Sequence, residues 1–346
     1  MTAQQPRLVS LLISLASVVL IISGLKTLSG LLTPILLSLF LVLVTAPLLS
    51  WLRKQGIPRW LSYLIILLGV GVVGLFFTFF LATSLNQLLE VLPTYTNQIE
   101  SQVEKLWSWL GTRGIDSADI RGLSWFQPER ILRVSVTVTT TVLGTLSNVG
   151  LTLIIFVYML ATAPSFSSRL RRGLKGDIAM LQRLESFAHS TSAYLLIKGW
   201  LGALTALVQI ALMLLLGLDF AVLWGVLSFF LNFVPNIGFY IALIPPLLLA
   251  VIELGWIKAV LFAIAYIAIN TFFDLIIAPK YLAEGLDLSA LVTFLAVIVW
   301  TWILGPIGAF LALPLTVMVK KLLLEPFPQT QLIADLLGAG EDDHPA

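Results

Sequence analysis

Phe229 to Ala250 reads FFLNFVPNIGFYIALIPPLLLA. The stretch is apolar enough to lie in a bilayer, yet it holds Asn232, Pro235, Asn236, Gly238, Pro245 and Pro246. Proline lacks the amide hydrogen for a helix rung, and glycine weakens a helix. A lipid-facing span would leave the freed backbone groups without partners. Broken helices at membrane depth belong where protein or a water-filled cavity surrounds them, which is how transporter sites are built. A second break, Leu304-Gly305-Pro306-Ile307-Gly308, lies inside the apolar run 288–319. The two share a short pattern: Ile237-Gly-Phe-Tyr-Ile-Ala-Leu-Ile-Pro245 resembles Ile307-Gly-Ala-Phe-Leu-Ala-Leu-Pro314 with one residue omitted. Paired apolar segments interrupted by Gly and Pro point to a binding site.

The rest of the composition agrees. Of 346 residues, 59% are hydrophobic and 11% charged, with a mean hydropathy of +1.01. Soluble domains carry roughly a quarter charged residues, so this is an integral membrane protein. Its long apolar runs indicate helices rather than the short alternating strands of a barrel. The fold class is therefore all-α: a polytopic helical membrane protein of about 6–8 spans, broken or re-entrant in its C-terminal third. Residues 220–252 and 288–319 are longer than the roughly 20 residues one crossing needs, which favours at least one re-entrant hairpin.

A net charge of +2 argues against a nucleic-acid partner. With no cysteine there is no disulfide framework and no thiolate metal site. His189 and His344 are the only histidines, and HExxH, GxSxG and GxxxxGK[ST] motifs are absent. An enzyme, an ATP-driven motor, a bound metal and any other cofactor are all unsupported.

The chain divides as follows. Residues 1–83 hold three spans, with Pro34 and Pro47 in the second and Arg53, Lys54 and Arg59 after it. Residues 84–133 read as an extracytoplasmic helical arm: Leu85, Leu88, Leu89 and Leu92 keep helical spacing up to Pro93, and Tyr95, Ile99, Val103 and Leu106 resume it. Its last part, 111–128, reads as a loop. Residues 134–160 form a fourth span, and 161–193 a basic amphipathic helix with a stripe of Leu174, Ile178, Leu181, Leu184 and Ala188. Residues 194–319 form the C-terminal membrane core, and 320–346 a tail.

Loop charge sets the orientation. Residues 52–59 carry three bases and no acid, and 161–193 carry five bases against two acids, whereas 84–133 carry five bases against six acids. By the positive-inside rule the first two are cytoplasmic and the arm is outside. Both termini are then cytoplasmic, with Lys320 and Lys321 supporting the second.

Asp274 stands alone in FFDLIIAPK. A carboxylate at membrane depth is costly and points to function, while pairing with Lys280 would give it a structural role. Asn270 lies four residues earlier on the same face. Asn232 and Asn236 repeat that spacing across Pro235; their amides either line a polar cavity or satisfy carbonyls freed by the proline. The expected solute or ion pathway comprises Asn232, Pro235, Asn236, Gly238, Tyr240, Asn270, Asp274, Gly305, Pro306 and Gly308. Gly238 is expected to let the backbone close on a cavity. Gln209 reads as interhelical glue, Lys198 and Lys258 as snorkelling bases, Asp219 as a cap or loop residue, and Glu253 as interfacial.

With these residues in place, the chain resembles the AI-2E family of membrane permeases over almost its whole length. The resemblance rests on RKQGIPRW after the second span, YLLIKGW, FVPNIGFYIALIP, IAPKYLAEGLDLSAL and GPIGAFLALPLTVMVK. The sequence departs from the family pattern at Asn236, where an aromatic is common, and at Phe239, where a proline is common. The resemblance implies a multi-pass protein of the bacterial inner membrane that forms a homo-oligomer. It also implies a secondary or passive permease exporting a small polar metabolite, autoinducer-2-like. Sodium/proton antiport through Asp274 is the alternative within transport, and a membrane scaffold the alternative outside it. The partners expected are the lipid bilayer and a small polar solute or cation.

Overall fold

A computed structural model describes residues 7–112, 137, 140, 141, 144, 149–174, 177–235, 237–281 and 288–338. Among the described residues all regular structure is helical. Helices α1 (Arg7–Thr27) and α2 (Ser29–Lys54) are joined at Leu28. Helix α3 (Arg59–Thr112) follows, then α4 (Val149–Gly173) and α5 (Ile178–Leu216). Helices α2, α4, α5, the first 33 residues of α3, and Trp256–Tyr281 are long and apolar enough to cross a membrane.

Their outer faces confirm the solvent. On α3, Leu68, Val72, Phe76 and Phe79 recur at helical spacing and are all more than half exposed. A water-soluble protein would bury such a stripe; in a bilayer it meets acyl chains. Inside, hydroxyls tie helix to helix: Ser38 Oγ donates to the Thr152 carbonyl (2.8 Å), and Ser192 Oγ to the Leu43 carbonyl (2.8 Å). In hydrocarbon these bonds replace what water would supply.

Two local readings change. Helix α3 runs unbroken through Pro93, so the arm and the third span are one 54-residue helix. At 1.5 Å per residue it is about 80 Å long, against roughly 30 Å of hydrocarbon. One proline removes one rung, and the rungs on either side hold the helix together. Most of the loop expected at 111–128, and the first half of the fourth span, lie outside the described residues.

Residues 161–193 are not one amphipathic helix. They are shared between α4 and α5, which meet at 174–177. Asp177 caps α5, its Oδ1 accepting from the Met180 amide at 2.9 Å. The end of α4 at Gly173 and this cap override the periodicity that runs across them. Arg171 and Glu185 pair at 2.8 Å across the joint, so the basic residues lie on two helices rather than along one face.

The C-terminal third contains two helical hairpins. Helices α6 (Ala221–Leu231) and α7 (Gly238–Leu254) form the first, turning at 232–237. Its two ends meet: the Asp219 amide donates to Glu253 Oε2 at 3.1 Å. Helix α8 (Trp256–Thr271) then continues through a wider π-helical turn (Phe272–Ile277) to Tyr281, about 39 Å along its axis.

This helix separates the first hairpin from the second. The second comprises α9 (Ala290–Leu304), then α10 (Pro306–Phe310) and α11 (Ala312–Val319). Its legs are joined by Trp300 Nε1 donating to Thr316 Oγ1 (3.0 Å), and by packing of Ala296 and Val297 against Ala309 and Ala312. A short helix, α12 (Gln331–Leu337), places the Leu337 carbonyl against the Ser289 amide at 3.2 Å.

The repeated Ile-Gly pair has a physical reading. A Cβ on Gly238 would collide with the Leu231 carbonyl, and one on Gly308 with the Trp300 carbonyl. Each glycine lets the returning leg press against the backbone of the leg before it. Gly305 serves differently: a Cβ there would meet nothing, but its φ of 70° and ψ of −154° lie in a region almost confined to glycine.

Candidate functional site

The two hairpin tips meet inside the bundle. Phe233 from the first and Phe310 from the second stack with ring centroids 4.2 Å apart. Phe233 also packs with Ile303, Leu304, Ile307 and Leu311, and Val234 against Ala309 and Leu313. Residues 233–246 and 304–314, paired by their breaks in the sequence, are brought together at their leading edges.

The tips separate a polar side from an apolar one. On the polar side is α5. Asn232 lies over Gly202, where a Cβ would stand 3.4 Å from Asn232 Nδ2, and Phe233 lies over Gly199. Lys198, one turn earlier on the same face of α5, reaches Asp274 Oδ1 at 3.5 Å. Asn270 Nδ2 donates to Asp274 Oδ2 at 2.9 Å, as their spacing predicts. The Lys198 side chain is largely enclosed at 17% exposed, while Asp274 is partly open at 39%. Asp274 sits in the π-helical turn, a distortion that often marks functional positions.

The partner of Asp274 is thus Lys198 and not Lys280, which is exposed. The sequence reading missed Lys198 because a lysine stem can snorkel. The available signal was one lone acid and one lone base in two apolar helices, each needing a counter-charge.

The apolar side is a cavity of about 600 Å³ between the tips, lined by Phe230, Val234, Ile237, Val297, Pro306 and Phe310 among others. Thr301 Oγ1 donates to the Val297 carbonyl and Thr141 Oγ1 to the Thr137 carbonyl, so those hydroxyls are turned onto their own helices.

The remaining expected residues divide. Pro306 lines this cavity, while Gly238, Gly305 and Gly308 shape the hairpins rather than offer a ligand group. Pro235 is in the first turn, its carbonyl accepting from the Ile237 amide at 2.7 Å. Tyr240, in the first turn of α7, is 65% exposed and does not line the cavity. Asn236 lies outside the described residues. Gln209 is buried, its Oε1 accepting from Ser228 Oγ at 2.6 Å between α5 and α6.

A second polar cluster sits at the mouth of the first hairpin. Tyr95 of the α3 arm donates to Asp219 Oδ2 (2.8 Å) and also approaches Glu253 Oε1 (3.3 Å). It fastens the base of the arm to both ends of the hairpin. Burial pushes the Glu253 carboxyl above its usual range, and the Asp219 charge adds to this, while hydrogen bonds from the Asp219 amide and Tyr95 oppose it. The folded protein then holds more protons than the unfolded chain from pH about 4.5 upward to the raised folded value. Stability contributed by this group therefore falls as pH rises through that window. Glu253→Gln should flatten the pH dependence of Tm, and raise Tm by about 2 °C at pH 8. Thermal melts from about pH 5 to about pH 8 check this.

Comparison with known proteins follows the same outline. The family model described as AI-2E family transporter matches residues 11–325. The AI-2 transport protein TqsA of Escherichia coli (strain K12) is 31% identical over 331 residues, 94% of this chain and 95% of the relative. A putative transport protein of Haemophilus influenzae is 31% identical over 337 residues, 96% and 97% of the two chains. The putative transport protein YhhT of Escherichia coli (strain K12) is 28% identical over 330 residues, 95% and 94%. A match running from the first helix to the turn after α11, on a bundle built around two facing hairpins, is a match of the whole architecture: the chain belongs to the AI-2E family of transporters.

Proposed function

We propose that the protein is a secondary or passive permease that exports a small polar metabolite, autoinducer-2-like, through the region where the hairpin tips meet. The observation that carries this reading is the meeting of the two hairpin tips with the Lys198–Asp274 ion pair beside them. Asn232, Asn270 and Asp274 supply amide and carboxylate partners for solute hydroxyls, and Lys198 neutralises the site. The name of the TqsA relative, an AI-2 transport protein, supports the solute class. The test is efflux from proteoliposomes across a panel of small polar solutes, with and without Na⁺ and pH gradients. Failure to move any of them under every gradient would sink the reading.

Sodium/proton antiport is the second reading, and the ion pair favours it. A carboxylate held by a lysine can exchange that partner for Na⁺ or a proton, so Na⁺ would compete with Lys198 for Asp274. Proton release driven by Na⁺ in liposomes without any organic solute separates this reading from the first.

The protein works as a multi-pass inner-membrane homo-oligomer with both termini cytoplasmic and the arm outside. Loop charge supports this orientation. In this cysteine-free chain, Ser117→Cys should react with an impermeant thiol reagent in spheroplasts and Ser168→Cys should not. The reverse labelling pattern would invert the topology.

A further inference from the structure

We infer that the apolar cavity between the hairpin tips is a phospholipid site, with one acyl chain in the cavity and the phosphate at Lys26. The cavity, about 600 Å³, has the size of a small-ligand site but almost no polar lining. A polar solute entering it would lose water and gain few hydrogen bonds in return. Ile298 and Trp302 line the cavity and are 47% and 56% exposed. These residues continue an outward face of α9 with Leu291, Phe294 and Leu295, also exposed. In a membrane protein that face meets acyl chains, so a chain reaches the opening without crossing water.

The second observation is a charge at the mouth. Lys26 Nζ stands 3.9 Å from the centroid of the Trp302 ring, which lines the cavity. Lys26 is in the last turn of α1. Lys26 is exposed, and its ammonium rests on an indole face. A cation beside an apolar opening is the arrangement that takes an anionic headgroup with its tail inserted. Because the cavity touches both tips, the chain in it sets how closely they approach.

Native mass spectrometry of the full chain, purified in detergent and incubated with a phosphatidylglycerol, tests the assignment. The wild type should retain one phospholipid per chain through purification. Ile298→Trp, a change at a half-exposed position that fills the opening, should lose that lipid while keeping the wild-type elution volume and Tm. Lys26→Gln should bind the phosphatidylglycerol about fivefold more weakly, the effect of one lysine at a membrane surface, and should no longer prefer it to a phosphatidylcholine. Three results overturn the inference: a wild-type chain that retains no phospholipid, an Ile298→Trp chain that retains as many as the wild type, or loss of lipid only together with loss of oligomeric mass. The last would make this face an interface between copies.

Discussion

Asp274→Asn is expected to insert and fold, yet to lose gradient-driven transport by about 10- to 100-fold. The range corresponds to about 1.5–3 kcal/mol for an interaction with a charged group. Asparagine keeps the shape and can still accept from Asn270, but it cannot titrate and no longer balances Lys198. Removing Asp274 leaves the largely buried Lys198 charge uncompensated, so Tm should fall as well. Lys198→Met in the same chain removes that stranded charge. The double variant should therefore recover Tm toward the wild type but not recover coupling. Transport by Asp274→Asn at the wild-type rate, with unchanged pH and Na⁺ dependence, would make the pair structural and move the leading site to Asn232.

Gly308→Ala and Gly238→Ala should each cost more stability than any other small substitution in the hairpins. The added methyl would occupy the space of the Trp300 or Leu231 carbonyl, and backbone cannot move aside as a side chain can. Overpacking of this kind costs typically 1–3 kcal/mol and more where nothing yields. The expected result is a large fall in folded yield and in Tm, accompanied by loss of transport. Gly69→Ala and Gly71→Ala are the controls: both lie within α3 with nothing within 4 Å of the new Cβ. They should be neutral, or stabilising by up to about 1 kcal/mol from helix propensity. Normal melting of Gly308→Ala would mean that the legs of the second hairpin do not cross at this point. The sequence suggested that Gly238 closes the backbone on a cavity. It closes on a carbonyl instead, so folding and activity fail together.

The family, the helical class and the hairpin breaks were legible because each is written locally. Apolar runs mark the spans, Gly and Pro mark the breaks, and the repeated Ile-Gly pair marks two segments of the same build. The i, i+4 spacing of Asn270 and Asp274 likewise became a hydrogen bond because one helix turn suffices to make it. Where two local signals competed, periodicity was the weaker guide. The stripe across 174–188 was real as a pattern, but the Asp177 cap starts α5 inside it and leaves Leu174 out, and Pro93 was too slight a breaker to stop α3.

What the chain by itself determined, then, was membrane class, helix positions and the two interruptions, all set by burial in lipid and by backbone chemistry within a few residues. Only the tertiary structure decided that Lys198 faces Asp274, that Tyr95 holds Asp219 and Glu253, that Tyr240 faces outward, and that one side of the tips is polar and the other apolar. The Tyr95–Asp219 bond joins residues 124 apart in the chain. Such contacts depend on how whole helices rotate and cross. No local propensity encodes that rotation; it is set by the packing of every neighbouring helix at once.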